Sequence, residues 1–194
     1  QHGWGLSLLQ EATRKKPDAP EILYDTAEAA FAMGRTTDAA AAMRKALELN
    51  SAFPQAARAR RFLEMMDVAA TPSESSAALK VETVLKSAPN DATALMALAA
   101  IQEFKRDVAA ARKSYEKILH LYPEQTVAKK RLAVILAPAK DADLKKAIEV
   151  ATKAREAYPE DPEVAKALGI IVYRQGNYTR AGALLQESVA KRET

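Results

Sequence analysis

A recurring triplet of side chains constrains this chain more than any other feature: a small residue, with partners four and seven positions later. It reads Gly5, Leu9, Ala12; then Ala39, Met43, Ala46; then Ala77, Val81, Val84; then Ala111, Tyr115, Ile118; then Ala147, Ala151, Ala154; and last Ala181, Leu185, Ser188. Subtracting their first members gives steps of 34, 38, 34, 36 and 34 residues. Residues four and seven apart share one face of an α-helix. Five positions after most triplets stands a proline, at Pro17, Pro89, Pro123 and Pro159, with Ser51 and Glu193 in its place in the other two. Proline lacks the N–H that a helix needs and disfavours helix in the residue before it, so those four faces have a stop built in.

A second helical face lies between triplets. Leu23, Thr26, Ala27 and Ala30 form it once, then Ala59, Phe62, Leu63 and Met66, then Leu95, Leu98 and Ala99. It recurs as Leu132, Ala133 and Leu136, and as Ala165, Leu168, Gly169 and Val172. Each period is therefore an antiparallel helix pair. The composition agrees, since unbranched side chains lose little freedom in a helix and Ala loses none.

This pattern resembles the tetratricopeptide repeat, a helix–turn–helix unit of 34 residues. The closest copy is Leu168 to Ser188, where Leu168, Gly169 and Tyr173 resemble the first helix. Gln175 to Tyr178 resembles the turn, and Ala181 and Ser188 the second helix. In the middle copies Arg106 stands where the turn glycine belongs. The resemblance implies an all-α, right-handed solenoid of about eleven helices. Residues 1–194 then read as one array, with 1–19 the second helix of a truncated repeat. Full repeats follow at 20–53, 54–91, 92–125, 126–161 and 162–194, those at 54–91 and 126–161 carrying insertions. We expect Thr71 to Glu74 to cap and start a helix, and another helix to start at Asp141 or a neighbour. An array opening and closing in mid-pattern is expected to be an excerpt of a longer protein, with apolar faces at its ends available for self-association.

Chemistry finds little purchase. The chain has no cysteine, which removes thiol nucleophiles and thiolate metal sites. His2 and His120 have no helical neighbour to complete a metal pair. Glu160 and Asp161 sit between prolines and read as a helix cap; Asn177 to Thr179, formally a glycosylation acceptor, reads as a repeat turn. No phosphate-binding glycine loop occurs, and no cofactor or enzyme activity is expected. The 29 basic and 25 acidic residues are interspersed, unlike the one-sign stripe of a nucleic-acid binder. No run of about 18 apolar residues crosses a membrane.

The remaining candidate is surface. The resemblance implies that first helices line a concave groove that takes a peptide or helix of a partner protein. The positions to inspect are Tyr24, Glu28 and Phe31; Arg60, Arg61 and Glu64; Met96, Ala100 and Glu103; Lys130, Arg131 and Val134; and Lys166, Ile170, Tyr173 and Arg174. Of these, Tyr24, Phe31, Arg60, Arg61, Met96, Lys130, Arg131, Lys166, Ile170, Tyr173 and Arg174 are the candidate binding residues. The first unit offers acidic and aromatic groups, and the later ones offer basic groups suited to an acidic segment. The expected function is a protein-binding scaffold of bacterial style. The alternative is a structural spacer in a larger envelope or secretion assembly, its groove empty.

Overall fold

The computed structural model describes residues 2–140 and 142–192, the side chains of residues 2–4 excepted. Among them are eleven helices and no strand. Two compact units form, Gln1–Gln125 and Thr126–Thr194. The first contains α1 (His2–Lys15), α2 (Pro20–Ala32), α3 (Thr36–Leu49), α4 (Ala56–Ala70), α5 (Ala77–Ser87), α6 (Ala92–Phe104) and α7 (Val108–Leu121). The second contains α8 (Thr126–Leu136), α9 (Leu144–Ala157), α10 (Pro162–Arg174) and α11 (Tyr178–Ala190). The fold class is the all-α solenoid of antiparallel helix pairs.

The triplets are the packing face. Ala39, Met43 and Ala46 are buried in α3; Ala111, Tyr115 and Ile118 in α7; and Ala147, Ala151 and Ala154 in α9. In the first unit Leu23, Ala27 and Phe31 of α2 join Met43, Phe53, Ala59 and Phe62 in one cluster. Met65, Val68, Val81, Ala97 and Ile101 form a second cluster. In the second unit Leu132, Leu136, Leu168, Ile171 and Val172 are buried. Each fully buried Leu, Ile or Val stabilises the fold by roughly 1.5–3 kcal/mol.

Two expectations about α4 and α5 are corrected. The inner face of α4 is Ala59, Phe62, Met65 and Val68, whereas Leu63 and Met66 are only half-buried. Spacing by threes carries that face from the first cluster into the second, because α4 packs on α6 and only slightly on its sequence neighbour α5. Thr71, expected to cap a helix start, instead closes α4: its N–H and its hydroxyl both donate to the Asp67 carbonyl. Residues 71–76 form consecutive turns, with Glu74 N–H bonded to Thr71 O and Ala77 N–H to Glu74 O, and α5 begins only at Ala77. The same Thr-to-Glu spacing fits a turn when the chain must travel before the next helix.

Other starts follow the sequence signals. Asp143 accepts from the N–H groups of Lys145 and Lys146 at the head of α9; Asp141 lies outside the described residues. Asp161 accepts from Glu163 and Val164, and Asn177 from Arg180. Each such cap contributes about 1 kcal/mol.

Arg106 takes the turn-glycine role without being glycine. Its φ is 60°, beside 80° at Gly34 and 92° at Gly176 in the matching turns. Its N–H bonds Glu103 O, and the next N–H, of Asp107, reaches back to Gln102 O, so the helix end closes in the left-handed form. That form costs an L-residue roughly 1–2 kcal/mol, part of which glycine recovers. Arg106→Gly is therefore expected to stabilise the protein by about 1 kcal/mol, read as a higher urea midpoint. A lower midpoint would mean that the Arg106 side chain contributes more than its backbone costs.

Candidate functional site

Within the first unit the candidate residues do not all assemble at one place. In the first unit Tyr24, Phe31 and Arg61 come together around a cavity of about 240 Å³. Glu28 of α2, Arg58 and Phe62 of α4, Asp91, Ala92 and Thr93 at the head of α6, and Tyr122 after α7 complete its lining. Periodicity explains part of this convergence. Tyr24, Glu28 and Phe31 recur at four and three residues and so share a helix face, as do Arg58, Arg61 and Phe62 on α4.

The floor is aromatic. Phe31 and Phe62 meet edge to face, with ring centroids 5.2 Å apart, and Tyr24 approaches Phe53 at 6.2 Å. Charges rim it. Arg61 Nε lies 3.1 Å from Asp91 Oδ2. The other carboxylate oxygen of Asp91 accepts from the Thr93 hydroxyl at 2.6 Å and from Ala94 N–H at 3.0 Å, which also caps α6. Asp91 is thus heavily engaged within the protein.

Glu28 is different. Burial raises its pKa first of all. The Tyr24 hydroxyl bonds it and pulls the other way, Asp91 and Asp25 raise it further, and Arg58 lowers it; the net direction is up. Its surface remains open to solvent. Protein surrounds the Glu28 carboxylate on its sides while the cavity mouth stays open. The Tyr24 hydroxyl is pushed up to about 12 by burial and by Glu28. Tyr122 is also raised, by burial and then by Glu28 and Asp91.

Arg60 points elsewhere. It donates to the Ser51 carbonyl and lines a separate cavity of about 510 Å³ with Leu63, Glu64, Asp67 and Lys80. Met96 is buried and offers no groove surface.

In the second unit most of the candidate cations are held by the protein itself. Lys130 Nζ lies 2.5 Å from Asp161 and 3.4 Å from Glu163, and 5.8 Å from the centre of the Tyr158 ring. Burial lowers the Lys130 pKa, but the bonds and charges of Asp161 and Glu163 outweigh it and raise the group overall. At Asp161 burial pushes up, and the Lys130 bond with two backbone N–H groups brings the net shift down. Arg131 lies 3.5 Å from Glu163, and Arg174 donates to the Leu136 and Ala137 carbonyls at 3.1 and 3.0 Å. Lys166 is exposed and Ile170 half-buried. Tyr173 is exposed and its ring meets that of Tyr178 at a tilt of 59°, with centroids 5.2 Å apart.

The remaining sequence readings resolve simply. Asp161 is a cap and Glu160 pairs with Lys191 at 2.9 Å. His120 is exposed in the last turn of α7, and the His2 side chain lies outside the described residues. Among the described residues no group of three metal-ligating side chains occurs, and no helix is long and apolar enough to cross a membrane. Exposed Leu8 and Val189 lie on α1 and α11, but Leu79, Phe104 and Val108 are equally open within the first unit. Asp91 carried a readable signal, since an acid before Ala92 marks a helix start. Arg58 and Tyr122 carried none.

Comparison with known proteins gives one family. Its model, described as tetratricopeptide repeat, matches residues 5–57, 75–126 and 128–194. No curated protein matches the chain. Among solved structures, one described as YrrB, a TPR protein with an unusual peptide-binding site, is 16% identical. It aligns over 95% of this chain and 92% of its own, with a TM-score of 0.53. MamA from Desulfovibrio magneticus RS-1 is 19% identical over 99% of this chain and 86% of its own, with a TM-score of 0.45. Yeast Tom70 is 16% identical over 98% of this chain and 39% of its own, with a TM-score of 0.45. At such identities the likeness is one of fold.

Proposed function

The chain belongs to the tetratricopeptide-repeat family, and we propose that it is a non-catalytic scaffold that captures a segment of a partner protein in the cavity of its first unit. Proteins of this family are protein–protein interaction scaffolds, and the finer assignment rests on one observation. Tyr24, Phe31, Arg61, Phe62 and Tyr122, drawn from three separate stretches of sequence, converge on an open cavity with an aromatic floor and a charged rim. Apolar surface orients nothing by itself, and a few convergent polar groups supply direction. The YrrB description names a peptide-binding site in a protein of the same fold, which supports a peptide as the ligand class.

Selecting a displayed random-peptide library on the folded chain tests this. An enriched peptide should shift the backbone amide resonances of α2, α4 and residues 91–93 when titrated. Shifts confined to other helices would overturn the assignment to this cavity.

A second reading has its own support. Lys130, Arg131 and Arg174 are occupied by internal partners, so the second unit is built as a cross-linked block more than as an open basic surface for an acidic segment. That suits a spacer. If no peptide is enriched, the spacer reading takes precedence.

A further inference from the structure

We infer that the cavity between α2, α4 and the head of α6 takes a basic side chain of the captured segment, the ammonium of a lysine or the guanidinium of an arginine. This inference rests on the capture reading above and adds the chemistry of the ligand.

The charges facing the cavity can be counted by element. Glu28 comes from α2, Arg58 and Arg61 from α4, and Asp91 from the turn before α6; the stretch after α7 contributes only the Tyr122 hydroxyl, and Asp25 of α2 acts on Glu28 from outside the lining. Two carboxylates face two guanidinium groups in the lining, so what decides the sign of the ligand is which of these charges is already held. Arg61 is committed to Asp91, and Asp91 also receives the Thr93 hydroxyl and Ala94 N–H. The carboxylate with capacity left is Glu28, which accepts from Tyr24. An arriving carboxylate would meet the carboxylates of Glu28 and Asp91. An arriving ammonium or guanidinium meets its counter-charge at Glu28, with the rings of Tyr24, Phe31, Phe62 and Tyr122 lining the same space. Aromatic faces attract cations and also cover the aliphatic stem of a Lys or Arg. Arg58 is the one opposing charge that Asp91 does not hold, and it competes with the ligand for Glu28.

Acidification should weaken the interaction. Glu28 must be ionised to attract a cation, its pKa is raised above the ordinary 4.5, and so affinity is present above the raised value and falls as pH drops through it.

The probes are the N-acetyl methylamides of lysine, arginine, glutamate and leucine, titrated into the full chain while the amide resonances of residues 28, 91–93 and 122 are followed. The lysine and arginine probes should shift these resonances, and the glutamate and leucine probes should not. Glu28→Gln should weaken the lysine probe about fivefold and Arg58→Ala should tighten it, both side chains being exposed enough to leave the fold intact. Glutamate shifting the same resonances, with Arg58→Ala weakening it, overturns the basic assignment and leaves capture standing. So does a library-selected peptide that shifts these resonances but has no basic residue. If neither peptides nor probes reach the cavity, the capture reading fails and takes this inference with it.

Discussion

Replacing Gly169 by leucine is expected to destabilise the protein by about 3 kcal/mol, whereas Gly182→Ala, one helix later, should stabilise it by about 0.5–1 kcal/mol. Both glycines lie inside helices, Gly169 in α10 and Gly182 in α11, so propensity alone favours replacing either one. Packing separates them. A Cβ on Gly169 would stand 3.0 Å from Leu185 Cγ, 3.1 Å from Leu185 Cδ2 and 3.3 Å from Leu184 Cβ. The last of these atoms is fixed to the α11 backbone and cannot swing aside. A leucine there must push the two helices apart, and an overpacked core loses more than the propensity gain returns. A Cβ on Gly182 meets nothing within 4 Å, leaving only the gain. Urea unfolding followed by circular dichroism reads both signs. If Gly169→Leu proves as stable as the parent, the close approach of α10 and α11 is not what requires the small residue.

Gln125→Leu is expected to cost about 2 kcal/mol although its shape is nearly kept. Gln125 is fully buried after α7, and its amide Nε2–H donates to the carbonyl of Phe31 at 2.6 Å, across 94 residues of chain. Phe31 O also accepts the N–H of Gly34, so this bond joins the end of α2 to the end of α7 at a helix terminus. Leucine supplies no donor. The buried carbonyl then keeps only its local partner, and the link between the two segments is lost. Tyr122, three residues earlier, lines the cavity, so loosening this link also frees one wall of it. Faster hydrogen exchange at Gly34 and Arg35, with a lower urea midpoint, would bear this out. Unchanged exchange and stability would show that packing alone holds Gln125.

The parts of the site legible beforehand were those lying on one helix. Tyr24, Glu28 and Phe31 share a face by spacing, and Arg61 falls on the matching face of α4; these were readable and they do converge. Arg60, one residue away, turns about 100° around the helix axis and lines another cavity. One position of helical phase decides between them. Both were candidates by sequence, and the two diverge because successive residues of a helix face different ways. Lys130 and Arg174 looked like free groove cations because their partners, Asp161 and the carbonyls of Leu136 and Ala137, stand 31 to 38 residues away in the chain.

From the sequence alone came whatever is periodic or local. The six-fold triplet specified eleven helices and their pairing as a class, Pro17, Pro89, Pro123 and Pro159 set where α1, α5, α7 and α9 end, and Arg106 could be read as a residue in glycine's place. Such features depend on interactions within a few residues, which spacing records. Only the tertiary structure decided that α4 packs on α6 more than on α5, that Gln125 reaches Phe31, and that Tyr122 closes a cavity begun by Tyr24 and Glu28. Those outcomes depend on how much turn separates two helices and how far each is rotated. A loop of six residues costs almost the same in closure entropy as one of four. The buried surfaces and hydrogen bonds available in three dimensions, and not the local chain, therefore choose among the arrangements the repeat permits.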